Sequence, residues 1–151
     1  MQSESSAADT FKVRRACRED STGVWPLVTS FAVSYVPDRA KFEAAFEAVI
    51  QDPSMLAVCA VEGSEVIGYL LANRHPTFFA NGAVVWVEEV MVDENQRSRG
   101  VGRALMHFAE AWAEGAGAAY VALATRRAAA FYLTLGYDES ATFFRRETSA
   151  R

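Results

Sequence analysis

The run Ala83 to Val92 (AVVWVEEVMV) constrains the fold more than any other stretch of the chain. It is rich in β-formers and apolar at every position except Glu88 and Glu89. Successive strand side chains point to opposite faces, so such a run reads as a central strand buried on both sides. Both faces then need cover, and the flanking segments supply it. Phe11 to Ala16 alternates apolar and basic residues and predicts a first strand. Asp20 or Ser21 caps a short helix through Ser30–Phe31, which Pro26 should kink or shorten. Asp38 caps a better helix, in which Phe42, Ala45, Phe46, Val49 and Ile50 form one apolar stripe before Asp52-Pro53 ends it. Met55 to Val61 and Val66 to Ala72 read as a hairpin joined by Glu62-Gly63-Ser64-Glu65. Asn73 to Gly82 reads as a loop.

Beyond the central strand, Gly100 to Glu114 is helical, with Val101, Leu105, Phe108 and Trp112 on one face, and Gly115-Ala116-Gly117 breaks it. Ala118 to Ala124 predicts a strand. Arg126 to Leu135 predicts a helix closed by Gly136, and Ala141 to Arg146 a last strand. The order β-α-α-β-β-β-α-β-α-β predicts an α/β (α+β) fold, a single-domain mixed sheet with helices on both faces. The crossover from Ala83 to Ala124 should be parallel and right-handed.

A chain of 151 residues suits one domain, expected over 10–147, with short tails at 1–9 and 148–151. Its 15 Lys+Arg against 19 Asp+Glu leave a net charge of -4, which argues against a nucleic-acid binder. Cys17 and Cys59 are too few for a disulfide framework, and no Cys/His cluster has zinc spacing, so no metal is expected. No basic-then-apolar leader opens the chain and no run of 18 apolar residues occurs, so no membrane partner and a cytoplasmic location are expected.

Chemistry concentrates in Val90-Met91-Val92-Asp93-Glu94-Asn95-Gln96-Arg97-Ser98-Arg99-Gly100-Val101-Gly102-Arg103. A buried strand feeds a loop, and the loop feeds a Gly-rich helix start flanked by three arginines. A helix start offers unpaired N–H groups and a positive dipole end, glycine admits close approach, and arginine adds charged donors. A phosphate or pyrophosphate site follows, although a plain helix start with two capping glycines and solvated arginines fits the same residues equally well. The phosphate-loop pattern fails, since Arg103-Ala104 follows Gly102 where Lys-Ser/Thr is required. The dinucleotide fingerprint fails too, since Leu105 stands where its third glycine should be.

Arg97-Ser98-Arg99-Gly100-Val101-Gly102 resembles the (Arg/Gln)-x-x-Gly-x-(Gly/Ala) signature of the GNAT superfamily of N-acetyltransferases. Glu88 to Asp93 resembles that family's fourth strand. Ala128-Ala129-Ala130-Phe131-Tyr132-Leu133-Thr134-Leu135-Gly136-Tyr137 resembles its second signature, an aromatic pair before Leu-Gly-(Phe/Tyr). The likeness is specific from Ala83 to about Arg146 and topological from Thr10 to Ala72. It implies an acetyl-CoA-dependent enzyme. The start of the helix, from Arg97 through Ser98, Arg99, Gly100, Val101 and Gly102 to Arg103, would grip the coenzyme's pyrophosphate. The main chain of Val90, Met91 and Val92 would pair with the pantetheine arm as an added strand, with an N–H near Val90 facing the thioester carbonyl. Ala128 and Phe131 would complete the coenzyme site. Thr125 stands where the family often has an asparagine that contacts the coenzyme; it keeps a hydroxyl and loses the amide. Tyr132 corresponds to the tyrosine placed near the CoA sulfur, where a phenol can protonate the departing thiolate. On periodicity alone Tyr132 is a core aromatic of its helix stripe.

Glu88 and Glu89 would cost on the order of several kcal/mol if buried without partners, so they must face a cleft or water. Only one should line the cleft, and Glu88, sharing parity with Val90 and Val92, is the stronger candidate. A carboxylate there can take an ammonium proton or hold the cation; a solvated pair at the strand edge is the alternative. His75 precedes Pro76 in the loop and can touch substrate, and Phe78-Phe79 can line an acceptor pocket or a subunit contact. His107 reads as a surface residue, Cys59 as core, Cys17 as lacking a base, and Trp86 and Trp112 as packing. Three functions fit: acetyl transfer to a small-molecule primary amine by direct attack, acetylation of a protein N-terminus or lysine, and a non-catalytic acyl-CoA-binding module. Proteins with this resemblance are often homodimers. The acceptor depends on the first two helices and the Asn73–Gly82 loop, which carry no readable code.

Overall fold

The computed structural model describes residues 10–31 and 34–148. The tail expected over 1–9, and all but the first residue of the one expected over 148–151, lie outside the described residues. A five-stranded sheet is built from β1 (Phe11–Arg15), β2 (Met55–Glu62), β3 (Glu65–Pro76), β4 (Ala83–Val92) and β5 (Val121–Leu123), side by side in that order. The first four are antiparallel neighbours, and β5 joins β4 in parallel. The helices are α1 (Ser21–Phe31), α2 (Arg39–Gln51), α3 (Val101–Gly115) and α4 (Ala129–Thr134).

Each element begins where local chemistry favours it. Asp38 caps α2 by accepting the Lys41 N–H at 2.9 Å. Gly63 turns the β2–β3 hairpin with φ +60°. Asp20 closes a short 3-10 turn ahead of α1, and its carboxylate accepts from Arg14 at 2.7 and 3.0 Å and from the Cys17 N–H at 2.8 Å. That cluster ties the end of β1 to the start of α1. Pro26 sits inside α1, which continues to Phe31 as one element.

Two apolar cores lie on opposite faces of the sheet. On one, Val101, Leu105, Met106, Ala109 and Ala113 of α3 pack on Leu56, Val58, Ile67, Leu70, Val85 and Val87, with Phe131 and Tyr132 of α4 alongside. On the other, Val24 and Leu27 of α1 and Phe46 of α2 pack on Cys59 and Tyr69. Gly68 seats the start of α3: a Cβ there would meet Val101 Cγ1 at 3.1 Å, Leu105 Cδ1 at 3.3 Å and the Met91 carbonyl at 3.1 Å. The first turn of α3 is thereby held against the ends of β3 and β4.

Several elements differ from the sequence reading. β3 runs on to Pro76, because His75 and Pro76 pair with Val84 and Ala83 of the long β4. The polar Asn73-Arg74-His75 hides this from a hydrophobic pattern, since ladder bonds use main-chain groups whatever the side chain. β5 keeps three residues of the seven expected, and α4 is shorter at both ends. The last strand expected over Ala141 to Arg146 does not form: this exposed segment joins no ladder among the described residues. Its aromatic and charged side chains make other contacts. Phe143 stacks on Trp86 at 6.2 Å, Arg145 lies 6.0 Å from the Tyr35 ring, and the Tyr35 hydroxyl donates to Glu147 at 2.5 Å.

The most consequential irregularity is in β4. Leu71 pairs with Glu89 and Ala72 with Val87, so Glu88 is an extra residue, a β-bulge. One inserted residue exchanges the faces of everything after it. Val85 and Val87 face the α3 core, and beyond the bulge so do Val90 and Val92, while Met91 joins the α1/α2 core.

Candidate active site

The open edge of β4 is the centre of the site. β5 accompanies β4 at Val85, Trp86 and Val87 and no further. From Glu88 to Val92 the edge that faces β5 has no ladder partner among the described residues, while the other edge stays paired to β3 as far as Val92. The chain leaving β5 turns away into α4. Main-chain donors and acceptors there are left without a ladder partner among the described residues, the template that an extended amide-bearing ligand can complete.

That edge runs into the loop before α3. Asp93 starts it by accepting the Asn95 N–H at 2.9 Å. Ser98 (φ +66°) and Gly100 (φ +81°) then adopt left-handed conformations two residues apart. The left-handed turns bring the chain round to the start of α3, whose first N–H groups have no intrahelical partner and suit an anion. Gly100 is the N-cap of α3 and places no side chain over the first turn. A Cβ on Gly100 would meet nothing within 4 Å, so the space above the helix start is open. Gly102 serves packing instead: a Cβ there would lie 3.2 Å from Phe131 Cζ. Absence of that atom lets Phe131 of α4 flank the helix start.

The three arginines separate. Arg99 donates to Glu62 at 2.6 Å and to Thr10 at 3.2 Å, also reaches Gln96, and lies 5.8 Å from the Phe11 ring. It anchors the loop to β1 and β2 by those bonds. Arg97 is exposed, with Nε 3.4 Å from the Val92 carbonyl, and Arg103 is exposed on the first turn of α3. Thr125 is also engaged, its hydroxyl accepting the Ala128 N–H at 3.1 Å and so starting α4.

Tyr132 is half-buried against the α3-side core, edge-on to Phe131 at 5.0 Å and to Tyr137 at 6.0 Å. No hydrogen bond engages its hydroxyl among the described residues. Burial pushes its pKa above the usual 10, so the phenol keeps its proton. Tyr137 donates to Glu110 at 2.6 Å, tying the end of α4 to α3.

Across the sheet, the two glutamates divide. Glu88 lies exposed at the bulge, and partial desolvation followed by the charge of Glu89 raises its carboxyl above 4.5. Strict alternation, which favoured Glu88, is interrupted at Glu88 itself. Glu89 turns to the α1/α2 face, accepts the Tyr69 hydroxyl at 2.6 Å, and borders a cavity of about 130 Å³. Val24 and Val28 of α1, Phe42 and Val49 of α2, and Cys59 of β2 line that cavity. Sequence reasoning missed Tyr69; the signal was a single hydroxyl in the otherwise apolar run Val66 to Ala72. His75 lies exposed beside Asn73 (3.1 Å), and Phe78 and Phe79 are fully exposed on the β3–β4 loop; none borders this cavity. Cys17 is exposed, and hydrogen bonds with Glu19 and Asp20 hold its thiol protonated, while Cys59 is buried.

Comparison with known proteins gives a consistent result. The sequence model of the acetyltransferase (GNAT) family matches residues 17–137. An aminoalkylphosphonate N-acetyltransferase of Salmonella typhimurium is 30% identical over 135 residues, covering 85% of this chain and 86% of that protein. The crystal structure of a glucosamine-6-phosphate N-acetyltransferase from Arabidopsis thaliana superposes with a TM-score of 0.82 at 19% identity, over 92% of this chain and 99% of the other. An aminoglycoside N-acetyltransferase solved in complex with CoA superposes with a TM-score of 0.78 at 17% identity, over 93% and 95% of the two chains.

Proposed function

The chain belongs to the acetyltransferase (GNAT) family, and on that premise we propose that it moves the acetyl group of acetyl-CoA to the primary amine of a small molecule by direct attack. Acetyl-CoA supplies an acetyl group activated as a thioester. The observation that carries this reading is the continuity of two features: an unpaired β4 edge that leads to an α3 start with no side-chain cap and open space above Gly100.

In this reading the N–H groups of the Ser98–Arg103 segment hold the diphosphate, helped by the dipole of α3 and the exposed Arg97 and Arg103. Arg99 acts at one remove, since its bonds to Glu62 and Thr10 fix the loop before α3. The main chain of Val90 to Val92 pairs with the amide-bearing arm, which removes orientational freedom before attack. An N–H of the open edge near Val90 stabilises negative charge developing on the carbonyl oxygen. Tyr132, protonated and with its hydroxyl unengaged, gives its proton to the departing sulfur. Glu89 takes the proton of the incoming ammonium. Tyr69 occupies one of its oxygens and orients the carboxylate, leaving the other for the substrate. The exposed Glu88 adds negative potential next to it.

The named relatives support an amine acceptor: their substrates are an aminoalkylphosphonate, an amino sugar phosphate and aminoglycosides. The reading includes the cytoplasm as the site of action. It also includes association of two copies, for which the exposed Phe78, Phe79 and Phe144 offer apolar surface. A free-thiol release assay with acetyl-CoA across a panel of amines tests the activity. Amine-dependent release is expected, together with heat on titrating acetyl-CoA into the protein. A protein that gives neither is not this enzyme.

A further inference from the structure

We infer that the acceptor is a primary amine bearing one compact apolar group, with that group seated in the cavity under α1 and α2 and its ammonium held at Glu89. This deepens the acetyltransferase reading and rests on it. The cavity joins the reaction centre through one residue. The main chain of Glu89 belongs to the open β4 edge, while its side chain borders the cavity on the α1/α2 face. An amine at the carboxylate is therefore next to the edge, and whatever the amine carries extends away beneath the helices.

The lining decides what that substituent can be. Val24, Val28, Phe42, Phe46, Val49 and Leu71 surround it, and no Lys, Arg or His is among the lining residues. Cys59 adds no charge, since burial pushes its thiol up to about 12 and it behaves as a small apolar group. Tyr69 adds no free donor, because its hydroxyl is already given to Glu89. Arg14, the β1 residue in register with the lining Cys59, is committed to Asp20. A phosphonate, phosphate or polyol placed here would lose water and gain no partner. A hydrocarbon group loses nothing. The size also fits, since a dry apolar cavity of about 150 Å³ accommodates benzene, and this one is about 130 Å³. A phenyl ring or a branched chain of four or five carbons matches that space. The Glu89 carboxylate then complements the cation, and the exposed Glu88 lies next to it in the chain; partial burial and then the charge of Glu89 hold the Glu88 proton more tightly. The polar substrates in the names of the related proteins thus differ in class from the one this cavity fits.

The test uses the full-length protein, acetyl-CoA and thiol release. The amines are propylamine, isoamylamine, benzylamine, 2-aminoethylphosphonate, glucosamine and an aminoglycoside. The expected result is a kcat/KM that rises about threefold to fourfold per added methylene up to isoamyl or benzyl size. Benzylamine should exceed 2-aminoethylphosphonate by at least about a hundredfold, the size of discrimination a mismatched pocket produces. Val49→Phe should fill the cavity and raise KM for benzylamine at least about tenfold, while the heat of acetyl-CoA binding and the melting temperature stay near wild type. Val49→Ala, which enlarges the cavity, should shift the optimum to longer amines. Turnover of the phosphonate or the sugars in preference to every apolar amine overturns the inference and leaves the acetyltransferase reading standing. An unmoved benzylamine KM in both Val49 variants does the same. No thiol release with any amine, and no heat with acetyl-CoA, overturns that reading and this inference together.

Discussion

The roles proposed for Tyr132 and Glu89 differ because their surroundings differ. The Tyr132 phenol is desolvated and has no hydrogen-bond partner among the described residues, so it stays protonated past pH 10. An acid with that pKa gives no descending limb of activity below pH 10, and the rate attributed to it is lost only as pH rises through the raised value. Tyr132→Phe should lower kcat by about a hundredfold, in the range of a removed general acid, with the acetyl-CoA Kd unchanged by calorimetry. Equal turnover in the variant would remove the acid role. Glu89 is oriented by Tyr69 and faces the cavity, whereas Glu88 is exposed on the bulge. Glu89→Gln should therefore lower kcat/KM by about a hundredfold, and Glu88→Gln far less. The reverse order in steady-state kinetics would return the assignment to Glu88, the residue that strict alternation favours.

At the scale of elements, the site is held by joints between neighbours. Arg99 with Glu62 fixes the loop before α3 to β2, Glu110 with Tyr137 fixes α4 to α3, and Arg14 with Asp20 fixes β1 to α1. The last is the most buried of these carboxylates, with the Asp20 side chain 8% exposed. The hydrogen bond from Arg14 holds the Asp20 carboxyl below its ordinary 3.8, against the opposing effect of burial. A depressed folded pKa means stabilisation that is present above pH 3.8 and lost as pH falls through the lower folded value. Asp20→Asn should cost about 2 kcal/mol at neutral pH, since it leaves charged and main-chain donors poorly matched. Urea unfolding at pH 3 and pH 6 should show part of the acid destabilisation of the wild type missing in the variant. An identical pH dependence in both proteins would assign the acid sensitivity elsewhere.

The whole molecule turns on a divergence. β4 and β5 share three residue pairs and separate, and α3 and α4 cover one face while α1 and α2 cover the other. Beyond Val87 the β4 edge facing β5 is left without a ladder partner among the described residues, and β4 leads on to the start of α3 at Gly100. A ligand that bridges α3, β4 and α4 binds the folded chain alone, so acetyl-CoA at about 100 times its Kd should add about 2.7 kcal/mol of stability. For a domain of this size the melting temperature should rise by about 5–10 °C. Gly100→Asp should abolish that rise while leaving the unliganded melting temperature nearly unchanged. Aspartate tolerates the left-handed conformation but places a carboxylate at the helix start. A full thermal shift in the variant would place the diphosphate elsewhere.

The sequence by itself determined most of the elements and the Gly-rich start of α3. These depend on local signals: the doubly apolar run of β4, the Asp38 cap, the stripe on α3, and the Gly100-Val101-Gly102 helix start whose glycines now have distinct tasks. The resemblance carried by Arg97–Gly102 and Ala128–Tyr137 fixed the family for the same reason, since both motifs are contiguous in the chain. Tertiary structure alone decided which glutamate meets the cavity, because a bulge is defined by the pairing of β4 with β3 and leaves no mark in β4 read alone. It alone decided that Arg99 anchors the loop, since Glu62 and Thr10 are distant in sequence. It also decided that Ala141–Arg146 stays outside the sheet: β propensity makes a segment fit for a ladder, but a strand exists only where a neighbour presents an edge.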